Sequence, residues 1–186
     1  MSTSVELLKV DVEMPVFQTM WTERLDEFKQ LILEHRKEFP TNCQDCNVNA
    51  SWRSAWNIQQ TDPKRFDPIT QYFQDLAESV GNQYFSTNGV FDVINMWAMM
   101  YGPKEGTKYH THFPSALSVI FYIDVEENAA PICIGNSCRP VENGLVLIFD
   151  ASIPHWVPDD GDGKRIVLAA NLDFVPSQIR GTWKAY

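Results

Sequence analysis

Residues Gly144–Phe174 read GLVLIFDASIPHWVPDDGDGKRIVLAANLDF, and this stretch decides the fold. Leu145–Phe149 and Arg165–Phe174 are apolar runs of strand length, bounded by Gly, Pro and Asp. Between them stand Ile153-Pro154-His155-Trp156 and an acidic turn, Asp159–Gly163. Successive side chains of a strand point to opposite faces. Arg165, Val167, Ala169 and Asn171 therefore share one face, and Ile166, Leu168, Ala170 and Leu172 the other. The first face is small and polar-tipped, which suits the inner wall of a ligand-holding barrel. The alternative for Arg165 is a surface side chain paired with Asp159, Asp160 or Asp162. His155 falls at a strand end, where ligands gather at a barrel mouth. Arg165 follows ten residues later, across what reads as a hairpin turn.

Upstream, the same texture reaches back to Val90. Phe91–Tyr101, Ala116–Val125 and Ile132–Ile134 read as further strands, separated by turns such as Gly102-Pro103 and Asn143-Gly144. Before Val90 the periodicity is helical. A short strand over 5–20 leads to a helix capped by Thr22 and running to about His35, with Leu25, Phe28, Leu31 and Ile32 on one face. Pro40 ends it. Ser51–Gln59 reads as extended, and Pro68 opens a second helix to about Phe85, with Gly81 near its exit. Two helices followed by many short strands predict an α+β domain, with helices packed outside a double-sheet jelly roll.

Three of the four histidines belong to one pattern, His110-Thr111-His112 and the distant His155. Histidines at i and i+2 of an extended strand face the same way. A third from another strand can close a set of imidazoles around iron, zinc, copper or nickel. A fixed cation beside it, Arg165, could hold a carboxylate co-substrate bidentately. That combination points to oxygen chemistry at iron. Tyr101 shares strand parity with Asn95, Trp97 and Met99, and Ser118 and Tyr122 share parity with Ile120, so both sets could line one cavity. His35 continues the apolar stripe of the first helix and is assigned no chemistry.

The chain has 186 residues, 44% of them hydrophobic and 12% aromatic, which excludes a disordered chain and predicts one domain. Residues 1–89 read as strand and helical support, and 90–176 as the jelly-roll core carrying the metal site. A net charge of −9 argues against a nucleic-acid or anionic-membrane partner. The first residues show no signal-peptide pattern, and a cytoplasmic enzyme is expected. The four cysteines form two local pairs, Cys43/Cys46 and Cys133/Cys138. A four-cysteine zinc site and a redox-active or disulfide Cys43-x2-Cys46 are the alternatives to the favoured plain reduced thiols.

Three stretches resemble the 2-oxoglutarate/iron(II)-dependent dioxygenases: SWRS from Ser51, INMWAMMYGPKEGTKYHTHFPSALSVIFYIDV, and the opening segment itself. The pattern of that superfamily is His-x-Asp or His-x-Glu, a distal His, and an Arg or Lys about ten residues beyond. More narrowly, the chain is similar to a branch known from marine bacteria and their phages that carries His-x-His; for a phage protein the expected place is the host cytoplasm. The resemblance implies a double-stranded β-helix (jelly-roll, cupin-like) fold, with Fe(II) held by His110 and His155. It implies O2 and 2-oxoglutarate as co-substrates, with the C5 carboxylate on Arg165 and hydrogen bonds from Tyr101, Tyr122 and, more weakly, Ser118. It further implies hydroxylation of a C–H bond in a peptide or small-molecule substrate. His112 stands where most members carry the carboxylate. It either completes a three-histidine site or swings away, and Asp150 is a remote substitute. Val167 stands where many relatives place a serine. Two readings compete: a three-histidine cupin dioxygenase that needs no 2-oxoglutarate, and a non-catalytic jelly-roll module binding metal or ligand.

Overall fold

A computed structural model describes residues 13–43, 45–84 and 90–175. The chain runs β1 (Val16–Met20), α1 (Leu25–Glu38), β2 (Val48–Asn49), β3 (Trp52–Arg53), α2 (Ile58–Thr61) and α3 (Pro63–Tyr84). It continues as β4 (Val90–Tyr101), β5 (Gly106–His110), β6 (Leu117–Val125), β7 (Ile132–Ile134), β8 (Ser137–Arg139), β9 (Leu145–Asp150), β10 (His155–Val157) and β11 (Arg165–Val175). Two antiparallel sheets result, of order β1-β9-β6-β11-β4-β3 and β2-β5-β10-β7-β8.

The large sheet has two dissimilar faces, and strand alternation makes them so. One face carries Ile166, Leu168, Ala170 and Leu172 of β11 with Met96, Ala98, Val119, Phe121, Val146 and Ile148. It packs against Phe28 and Ile32 of α1 and Phe66, Ile69, Phe73 and Ala77 of α3. The other face carries Val167 and Ala169 with Trp97, Met99, Tyr101, Ile120, Tyr122, Leu147 and Phe149, and meets Ile132 and Ile134 of the small sheet. The layers are thus helices, large sheet, small sheet. A bulge in β4 sets the phase: Asn171 pairs with Asn95 but Leu172 with Val93, leaving Ile94 as the extra residue. Phe91 and Val93 consequently face the helices although Trp97 and Met99, of the same parity, face inward.

Several boundaries differ from the sequence expectation. Helix α1 begins at Leu25, after Arg24 in the left-handed region with φ 63°. Trp21 stacks on Tyr72 and Phe121, at 4.0 and 5.3 Å between centroids, so the chain must turn after it before a helix can start. Helix α3 begins at Pro63, leaving Pro68 inside it and Gly81 buried within it. Pro63 already provides the preset first-turn φ, and Pro68, five residues on, cannot make the bond to the Lys64 carbonyl. Of Ser51–Gln59, only Trp52–Arg53 is strand, and Ile58 already starts α2. His35 is buried, with Nδ1 3.0 Å from the Asp62 carboxylate, tying α1 to the start of α3.

Two corrections touch the site directly. The segment from His155 to Arg165 is no hairpin: β10 lies in the small sheet and β11 in the large one. Its turn crosses between the layers and lands on residues 127–130, where Gly163 bridges Ala129 and a Cβ at Gly161 would collide with the Ala130 backbone. Only glycine allows so close an approach. The cysteine expectation also changes. Cys133 and Cys138 face each other across β7 and β8 and are disulfide-bonded, whereas Cys43 and Cys46 are free. A four-cysteine zinc site is therefore not formed, and plain thiols describe only the first pair.

Candidate active site

His110 ends β5 and His155 begins β10, and the two are cross-strand partners. Strand β5, which the sequence reading did not delimit, stops at His110, so His112 lies beyond it. A hydrogen bond from the His112 nitrogen to the Ala151 carbonyl, 2.8 Å, returns His112 to the cluster. One ring nitrogen from each of His110, His112 and His155 lies within 4.8 Å of the others. The Nε2 atoms of His110 and His112 are 3.1 Å apart. Two imidazoles on one ion at about 2.1 Å, roughly at right angles, would stand ~3 Å apart. The donor set therefore fits a metal ion.

The remaining contacts fix the rings. His110 Nδ1 lies 2.8 Å from the Lys108 carbonyl and His155 Nδ1 3.1 Å from the Ile153 carbonyl. A carbonyl can only accept, so each Nδ1 carries the proton and each Nε2 presents its lone pair. His112 is stacked between Trp97 and His155, with interplanar angles of 17° and 12°. Burial lowers all three pKa values, helped by mutual repulsion at His112, which falls to about 3, and at His155, which falls to about 4. The imidazoles are neutral at pH 7, the form that ligates metal. Asp150, the remote substitute, accepts from the Ser152 nitrogen and hydroxyl within its own turn and is not part of the cluster.

Arg165, Tyr101, Tyr122 and Ser118 line the same cavity as the three histidines. Arg165 is 3% exposed and enters from the first residue of β11. Its Nη1 donates to the Ala130 carbonyl at 2.7 Å, the residue on which the glycine turn lands. Its guanidinium carbon lies 4.3 Å from the centroid of the Tyr101 ring. Nη2 is buried with no hydrogen-bond partner among the described residues. An unpartnered buried donor costs free energy unless a ligand completes it. Tyr101 serves as a platform under the arginine, since its hydroxyl is engaged by Thr107 at 2.7 Å. Burial raises the Tyr101 and Tyr122 pKa values, so both phenols stay protonated. Ser118 Oγ lies 3.4 Å from Asn171 Oδ1 across β6 and β11.

The family model for aspartyl/asparaginyl beta-hydroxylase matches residues 18–174. The chain belongs to that family. It is accordingly an enzyme of the hydroxylase type, as the motif resemblance implied at the level of the superfamily. No curated protein matches it. Among solved structures, a Pseudomonas putida prolyl-4-hydroxylase superposes with a TM-score of 0.63 at 15% identity, over 87% of this chain and 93% of that one. The viral collagen prolyl hydroxylase of Paramecium Bursaria Chlorella virus-1, solved with 2OG, gives 0.63 at 12%, over 84% and 94%. SnoK, a non-heme alpha ketoglutarate dependent carbocyclase, gives 0.66 at 10%, over 86% and 79%. At these identities the likeness is one of fold. No described helix of this β-hydroxylase-family chain is long and apolar enough to cross a membrane.

The cavity of this family member holds groups to which the sequence reading gave no role. Arg53, Trp56, Asp45 and Thr107 all line it. A signal existed in SWRSAWNI, where one arginine is flanked by two tryptophans and no acid.

Proposed function

We propose that this protein is an Fe(II)- and 2-oxoglutarate-dependent dioxygenase that hydroxylates a C–H bond, built on a double-stranded β-helix. His110, His112 and His155 hold the metal through Nε2, and Arg165 holds the C5 carboxylate of 2-oxoglutarate. The observation that carries this reading is the pairing, in one cavity, of three converging neutral imidazoles with a buried guanidinium whose Nη2 has no partner among the described residues. The chemistry supplied at that position is oxidation of 2-oxoglutarate by O2 to succinate and CO2, coupled to insertion of the second oxygen atom into the substrate C–H bond.

The residues of the chain bind, orient and exclude. The Lys108 and Ile153 carbonyls hold His110 and His155 as Nδ1–H tautomers. Trp97 keeps the His112 ring from turning away. Ala130 and Tyr101 aim the free edge of Arg165. The Tyr122 and Ser118 hydroxyls are the remaining polar groups assigned to 2-oxoglutarate. Met99, Ile120, Val167 and Ala169 complete an apolar wall that limits water. With three histidines the site lacks the carboxylate usual in such enzymes, so the bound ion keeps one more unit of positive charge. The substrate is a peptide or small molecule.

Anaerobic titration of metal-free protein with Fe(II), then 2-oxoglutarate, tests the assignment. A visible charge-transfer band that needs both ligands, and succinate once air is admitted, is expected. Iron binding with no such band would favour a cupin-type oxygenase. No iron binding would reduce the protein to a fold without its chemistry.

A further inference from the structure

Two of the three clustered histidines sit where the chain crosses between the sheets. His112 lies on the crossing from β5 in the small sheet to β6 in the large one, and His155 ends the crossing from β9 back to β10. The two crossings are hydrogen-bonded to each other at a single residue. The Ala151 carbonyl accepts from the His112 nitrogen at 2.8 Å, and the Ala151 nitrogen donates to the Ala116 carbonyl at 3.1 Å. Ala151 is fully buried, so wherever it is held, the backbone of His112 is held with it.

Asp150 shapes the turn that presents Ala151. It is the last residue of β9, opposite Leu117 of β6. Its Oδ1 accepts from the Ser152 nitrogen at 2.8 Å and from the Ser152 hydroxyl at 2.6 Å, and its carbonyl accepts from the Ile153 nitrogen at 3.0 Å. An aspartate that bonds the backbone two residues on closes a turn of defined shape. The Ile153 carbonyl then meets Nδ1 of the His155 ring. One turn of four residues therefore supplies an acceptor to each of two histidines: Ala151 to the backbone of His112, and Ile153 to the ring of His155. His110 is held independently, by the Lys108 carbonyl of its own strand.

We infer that Asp150 is a positioning residue of the metal site, setting His112 and His155 together through the turn without joining the cluster itself. The inference rests on the proposed function for the presence of a metal ion. Groups that orient ligating histidines are worth about tenfold to a hundredfold in metal affinity. Asp150 acts by hydrogen-bond geometry and not by its charge, because Ser152 requires only an oxygen acceptor at Oδ1. Asparagine supplies that acceptor and alanine does not.

The test uses cobalt(II) as the probe, added to the metal-free full chain. Affinity is read by competition with a chelator, and coordination from the visible d–d bands. Asp150→Ala should bind cobalt about tenfold to a hundredfold more weakly, with altered bands. Asp150→Asn should restore both most of the way to wild type. Ser152→Ala, at an exposed position, removes the hydroxyl donor but keeps the N–H, and should weaken cobalt severalfold. It carries the test if Asp150→Ala does not fold. Denaturant unfolding of the metal-free variants reads any purely structural loss, which would lower stability while leaving the affinity and bands of the folded protein unmoved. Wild-type affinity and bands in Asp150→Ala, or in Ser152→Ala where it stands in, would overturn the inference. So would Asp150→Asn behaving like alanine, since charge and not the turn would then decide. Failure of the wild-type chain to take up cobalt would end the metal reading and the inference with it, whereas equal uptake by wild type and variants would end the inference alone.

Discussion

The two faces of the large sheet are built from the same strands and obey opposite rules. The helix face, with Leu168, Phe121, Ile148 and Val119, is apolar and fully buried, and it needs no partner beyond its own packing. The inner face inserts Arg165, Tyr101, Tyr122, Ser118 and Asn171 into an equally dry interior and leaves a guanidinium donor with no partner among the described residues. One face maximises burial, and the other keeps costly polar groups in fixed positions. The difference between them is one step of strand parity, controlled in β4 by the bulge at Ile94.

Substitutions on either side should therefore fail differently. The largest effect is expected at the cluster: His155→Ala should lose stoichiometric metal, read by elemental analysis after dialysis, while the fold survives. Retained metal would remove His155 from the ligand set. On the helix face, Phe121→Ala opens a void among Trp21, Phe28 and Phe73 and should cost ~3–5 kcal/mol in denaturant unfolding, with 2-oxoglutarate affinity of the folded fraction unchanged. A ligand defect there would mean the faces are coupled. Arg165→Ala should reverse that signature, weakening 2-oxoglutarate by ~2–5 kcal/mol with metal content intact. Equal affinity would end its assignment as the anchor. Gly161→Ala is the smallest and most indirect. It should push Ala130 from Arg165 and weaken 2-oxoglutarate by ~1 kcal/mol. Wild-type affinity would show that the turn supports only the fold.

Most of the strands and the convergence of the histidines were legible, because alternation and spacing are local properties. The facing of Val167, Ala169 and Tyr122 toward one cavity followed from parity alone. What was not legible is non-local. Gly, Pro and Asp mark a turn after Val157, but nothing in those residues says which sheet the next strand joins. The reading of a hairpin failed there. Pro63 and Pro68 both suit a first helical turn, and only packing selects the earlier one. Arg53 lay in SWRS, one of the stretches that carry the resemblance, yet it received no role, since its place against Trp97, far away in sequence, is not a local property. The disulfide was hidden for a similar reason: β8 was not recognised, so Cys138 had no strand to place it opposite Cys133.

The crossing of the chain between layers has a mechanical meaning. His110 and His155 belong to the small sheet, and Arg165 to the large one. Ile132 and Ile134 on one side and Leu147 and Phe149 on the other hold the layers apart. Packed interiors yield little to compression. These side chains therefore act as a calibrated spacer, and their bulk decides how long a molecule can reach from the histidines to the guanidinium. Exchanging one for a larger or smaller residue would retune that ruler without touching a single polar group.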